Sequence, residues 1–118
     1  MSAKANLRKE KLVLAKGNNQ ITLDYGKLRR AALTLRSLNH PLRKTMLEMM
    51  EEKRKITVTE IYDKMDLEQS VASQHLAIMR RAGVVITARD GKFIFYSVNT
   101  KRIEEIIKMV EDLAQPGE

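Results

Sequence analysis

Ser70, Ser73 and Gln74 lie in the stretch LEQSVASQHLAIMRRAGVV, residues 67–85, whose residue types and spacing suit hydrogen bonding to a partner. On a helix of about 100° per residue, Ala72, Leu76, Met79 and Gly83 gather within an arc of about 60° and form an apolar side. Ser70, Ser73, Gln74, Ala77 and Arg81 lie between about 100° and about 200° from Ala72 and face away. A merely solvated face favours Glu and Lys, which support the helix through i,i+4 pairs. Serines there lower helix propensity, so another demand acts on these positions. A helix entering the DNA major groove needs short hydrogen-bonding side chains at its start. Glutamine can pair with an adenine edge, and serine can meet a base or a phosphate. Gln69 opens the same helix. His75 falls at about 300°, beside the apolar flank, so it either contacts phosphate or packs within the domain.

Such a helix must be held by its neighbours. Leu28, Ala31, Ala32, Leu35 and Leu38 recur at helical spacing and predict a helix over about residues 25–38. Pro41 suits the first turn of a second helix, about 41–53, with His40 as a cap or surface residue. Thr57 and Glu60 have capping-box spacing and open a short helix, about 59–65. The stretch above then predicts a helix over 69–82, closed by Gly83. Val84 to Ile86 and Phe93 to Tyr96 read as strands, joined by Arg89-Asp90-Gly91-Lys92. Asp-Gly favours a two-residue hairpin turn with positive φ at both positions. Arg89 and Lys92 would stand at its tip, in reach of phosphate. Asn99 or Thr100 caps a last helix, about 100–114, with Ile103, Ile106, Ile107, Val110 and Leu113 as its stripe. The expected fold is mainly α with a two-stranded β-wing, a winged helix-turn-helix. Residues 1–20 read as a basic arm, either poorly ordered or a short hairpin around Gly17-Asn18-Asn19. Residues 21–114 read as one domain and 115–118 as a polar tail.

The runs LRSLNHPLRKTMLEMM and ITVTEIYDKMDLEQSVASQHLAIMRRAGVVITARDGKFIFYSVN resemble the ArsR/SmtB-type winged-helix transcriptional repressors over about residues 33–99. The specific part is the combination of Leu67, Gln69, Ser73, His75 and Leu76 with Ala82-Gly83-Val84-Val85, the Arg89–Lys92 wing and Tyr96. The resemblance implies an α-α-α-α-β-β-α homodimer that binds a pseudo-palindromic operator in double-stranded DNA. Gln69, Ser70, Ser73, Gln74, His75, Arg81, Arg89 and Lys92 would touch DNA. The terminal helices would form the dimer interface, here through Leu28, Ala31 and Leu35 and through Ile103, Ile106, Ile107 and Val110. Metal-sensing members carry two cysteines at the start of the third helix, where this chain has Thr57 and Thr59. Its last helix has no histidine, so the family's metal chemistry does not carry over. No metal, cofactor or identifiable inducer is expected.

The composition agrees. The chain has 118 residues, no cysteine and a net charge of +7, with 43% hydrophobic residues. Most of the positive charge lies in residues 1–55, which favours an anionic partner. Without cysteine there are no disulfides, thiolate ligands or thiol nucleophiles. No apolar run has membrane-spanning length and no secretory signal is visible, so a cytoplasmic chain without a membrane partner is expected. Only two histidines are available as imidazole ligands. The seven methionines read as core filler. No phosphate loop, dinucleotide loop, nucleophile motif or catalytic carboxylate pair is present, so no enzyme is expected. Two rivals remain at this level. One is a winged helix that docks protein and carries its basic charge incidentally. The other binds RNA, for which two Phe and three Tyr offer little base stacking.

Overall fold

Pairing of Leu12 with Leu23 and of Leu14 with Ile21 puts four apolar side chains on one face of an antiparallel hairpin, β1 (Lys11–Lys16) and β2 (Asn19–Asp24). The structure, a computed structural model, describes residues 10–117. Gly17 and Asn18 link the strands. Only Gly17 has positive φ, as a type II′ turn requires. The hairpin runs past residue 20, where the sequence had set a boundary, and stops at Asp24. There the Asp24 carboxylate accepts from the N–H groups of Gly26 and Lys27 and starts α1 (Tyr25–Leu38). Those N–H donors hold its pKa below the usual carboxylate value. Residues 1–9 of the basic arm lie outside the described residues.

The chain divides into two compact units after Leu33, inside α1. The second unit holds α2 (Pro41–Lys53), β3 (Ile56–Thr57), α3 (Val58–Met65), α4 (Gln69–Arg81), β4 (Val85–Asp90), β5 (Phe93–Val98) and α5 (Thr100–Leu113). Its core is Met46, Met50, Ile56, Ile61, Ala72, Leu76, Met79, Val84, Val85 and Ile106. Three of these are methionines, whose unbranched chains fill gaps between helices.

Local chemistry explains most element ends. Pro41 sits in the first turn of α2, and the His40 Nδ1 accepts from Leu42 N–H at 3.1 Å. Thr57 and Glu60 form a complete capping box on α3. Asp66 turns the chain in the left-handed region between α3 and α4. Gly83, with φ 78°, closes α4. Its N–H bonds the Arg80 carbonyl, and the Val84 N–H reaches the Met79 carbonyl. Asn99 caps α5 through Arg102 N–H and donates to the Gly83 carbonyl at 2.9 Å, tying the end of α4 to the start of α5.

Two features differ from the sequence expectation. The wing belongs to a three-stranded sheet of order β3-β5-β4, with Ile56 opposite Tyr96 and Thr57 opposite Phe95. The wing turn also sits one residue later. Asp90 joins the ladder opposite Phe93, so Gly91 and Lys92 are the turn residues and only Gly91 has positive φ. That is the type II′ pattern, which needs glycine at its first central position.

Candidate nucleic-acid interface

The inward side of α4 is Ala72, Leu76 and Met79, all buried. This fixes the rotation of the helix. Gln69, Ser70, Ser73 and Gln74 are consequently exposed along its first two turns, and Arg80 and Arg81 at its end. The turn before α4 is short: the Leu67 N–H bonds the Tyr62 carbonyl at 2.9 Å. Helices α3 and α4 thus form a tight helix-turn-helix.

An open concavity of about 420 Å³ lies on the outward side of α4, lined by Ser73, Ala77, Arg80, Arg81 and Tyr96. Ser and Tyr hydroxyls beside two guanidinium groups suit a phosphate or a base edge. Arg80 and Tyr96 were not singled out as contacts by sequence. Arg80 lies one position from Arg81 at the end of α4, and Tyr96 is brought here only by the β5 ladder. Arg89 and Lys92 are exposed on the wing. The Lys92 Nζ lies 5.5 Å from the Phe93 ring centroid, and the Lys55 Nζ lies 4.5 Å from that of Phe95. Phe93 and Phe95 share one sheet face, so two cations line the same side of the wing.

Burial sets two of the expected residues apart from the others. His75 does not join the outward face. It is partly buried, accepts at Nδ1 from the Arg43 guanidinium at 3.1 Å, and sits 4.7 Å from the His40 ring. Burial first, then the nearby His40 and Arg43, pushes its pKa below the usual imidazole value. Ile106 does not face outward either. It is 4% exposed in the core, with Ile103 packed beside that core. The apolar stripe of α5 is wide enough to split. Its other half, Ile107 and Val110, is exposed, as are Leu28, Ala31 and Leu35 on α1.

Thr57, in a position where metal-sensing chains would have cysteine, is spent on its cap: its hydroxyl accepts from Glu60 N–H. Among the described residues no three His, Cys, Asp or Glu side chains cluster closely enough for a metal ion. No described helix is long and apolar enough to cross a membrane.

Residues 40–87, from His40 into β4, match the model of the bacterial regulatory proteins of the arsR family. An HTH-type transcriptional regulator of Methanocaldococcus jannaschii is 32% identical over 87 residues, 74% of this chain and 98% of that protein. The transcriptional repressor PagR of Bacillus anthracis is 33% identical over 91 residues, 77% of this chain and 91% of that one. The PagR crystal structure superposes with a TM-score of 0.58, covering 74% of this chain and 99% of that chain. HlyU from Vibrio cholerae, a transcriptional activator, gives a TM-score of 0.58 at 27% identity, covering 75% and 95% of the two chains.

Proposed function

This chain belongs to the arsR family of winged helix-turn-helix transcriptional regulators, and from that premise we propose that it is a repressor that binds a pseudo-palindromic operator as a homodimer. The observation that carries this reading is the exposed side of α4. Its leading turns present Gln69, Ser70, Ser73 and Gln74, and its last turn presents Arg80 and Arg81. Inserted into the major groove, the first group meets base edges and the arginines meet phosphate. Arg89 and Lys92 hold the backbone from the wing without reading sequence. The dimer rests on apolar side chains that are exposed on the described protomer: Leu28 and Leu35 on α1, Ile107 and Val110 on α5. Two-fold pairing of such helices would set two α4 helices against two half-sites. Repression would follow by occupancy of the promoter, and the relative PagR is named a transcriptional repressor.

One observation favours a second reading, a protein-docking module. The wing strands expose Ile86, Phe93 and Ile94 at 51%, 52% and 44%. Fluorescence anisotropy with a mixed-sequence duplex over a salt series separates the two. A DNA-binding chain loses affinity steeply and linearly on a log–log scale. Absence of binding even at low salt would refute the DNA reading.

A further inference from the structure

The chain has two histidines, whose rings lie 4.7 Å apart, and one of them, His75, meets a buried arginine. Arg43 on α2 is 7% exposed. Its Nε donates to the Ser37 carbonyl at 2.7 Å, and its Nη2 donates to the Arg36 carbonyl at 3.1 Å. These carbonyls end α1, where the helix dipole is negative, so the cation is held without a carboxylate. Its Nη1 reaches the Nδ1 of His75 on α4. One side chain therefore fastens the recognition helix to α2 and to the last turn of α1.

The donors fix the state of both imidazoles. A guanidinium can only donate, so the His75 Nδ1 must offer a lone pair. The Leu42 backbone N–H can only donate, so the His40 Nδ1 must do the same. In this geometry both Nδ1 atoms accept, and the two rings lie 4.7 Å apart. Protonating the cluster sets like charges beside each other, beside Arg43 and beside the positive end of α2. Facing His75 are the ring of His40, the cap of α2, and the guanidinium of Arg43, which in turn holds the Arg36 and Ser37 carbonyls. No ion pair among the described residues involves any of the three side chains.

We propose that Arg43 is a positioning residue for α4, and that the Arg43–His75–His40 cluster is an acid-released latch: mild acidification frees α4 and lowers operator affinity. Histidine is the side chain whose ordinary titration lies between about pH 5 and 8, and this chain has no cysteine to share that range. Its near-neutral side-chain chemistry is therefore concentrated on the mount of the recognition helix. The sign is the telling part. Added positive charge alone strengthens DNA binding, whereas release of the latch weakens it. The depressed pKa of His75 places release below the ordinary imidazole value. Stability that depends on the neutral ring is present above about pH 6.5 and is lost as pH falls through the lowered value.

The proposal rests on the DNA-binding reading, so the test has an arm that does not. The probe is a duplex recovered by selection from random DNA, with affinity measured at constant salt from about pH 7.5 to about pH 5.5. The expected result is a loss of about tenfold or more for the parent chain. His75→Asn combined with His40→Asn keeps acceptors near both Nδ1 positions but does not titrate, and should hold its affinity throughout. Urea unfolding without DNA should show a midpoint falling with pH in the parent and level in the double variant. Nitrogen-15 shifts of the intact parent add a check that needs no variant: both Nδ1 atoms should be unprotonated at neutral pH. Unchanged or stronger DNA binding of the parent in acid would overturn the latch. So would an equal loss in the double variant, or a protonated Nδ1 on His75 at neutral pH. If no duplex binds at any pH, the DNA reading fails alone, and the urea and nitrogen results still decide whether the latch exists.

Discussion

Helices α4 and α5 bury apolar residues in the same core but show opposite surfaces to the outside. Helix α4 buries Ala72, Leu76 and Met79 and exposes serines, glutamines and arginines. Helix α5 buries Ile106 and exposes Ile107, Met109, Val110 and Leu113, the last at 77%. An apolar stripe states which side of a helix goes inward. The composition of the remaining side states what it is meant to meet: hydrogen-bonding side chains and cations for DNA, branched apolar side chains for protein.

The contrast is broken most severely at Ile107. Ile107→Asp puts a charge into the proposed dimer surface while leaving the protomer core intact. The mass from light scattering should halve, and affinity for a two-half-site duplex should fall on the order of a hundredfold, since each half-site is then bound separately. One residue earlier the outcome changes kind. Ile106→Ala should lower unfolding stability by about 2–5 kcal/mol, read from urea midpoints, with the dimer retained where the protein remains folded. Lys92→Ala acts more weakly. It should reduce affinity for selected and mixed-sequence duplexes alike and lower the salt slope by about one unit. The smallest expected effect is none. With Thr57 engaged in its cap and threonine at 59, micromolar Zn²⁺ should leave the anisotropy of the DNA complex unchanged, and stoichiometric uptake coupled to DNA release would refute this.

Much of the winged helix was legible because its signals are local. Pro41, the Thr57–Glu60 box, Gly83 and Asn99 each act within a few residues, and the elements they bound fall within a residue or two of expectation. What stayed hidden depends on distant partners. Ile56–Thr57 becomes a strand only because Tyr96 and Phe95 lie opposite it, a pairing that no local pattern records. The wing turn moved because Asp90 pairs with Phe93, and Gly91 alone then supplies the positive φ. Ile106 and Ile107 share a stripe in sequence, and only the packed core decides which turns inward. The exposure of Ser70, Ser73 and Gln74 was legible because the rotation of α4 follows from its own apolar side. Arg43 was missed because an arginine amid helical charges reads as surface, although here it is buried against carbonyls at the end of α1.

Base reading by α4 is tested most directly at Gln74. Binding of the parent and of Gln74→Ala should be measured on a duplex selected from random DNA and on a scrambled duplex of the same length, under identical salt. A glutamine that reads a base loses about 1–3 kcal/mol on the selected duplex and little on the scrambled one, so the specificity ratio falls. Equal losses on both duplexes would contradict base reading and reduce residue 74 to a backbone contact.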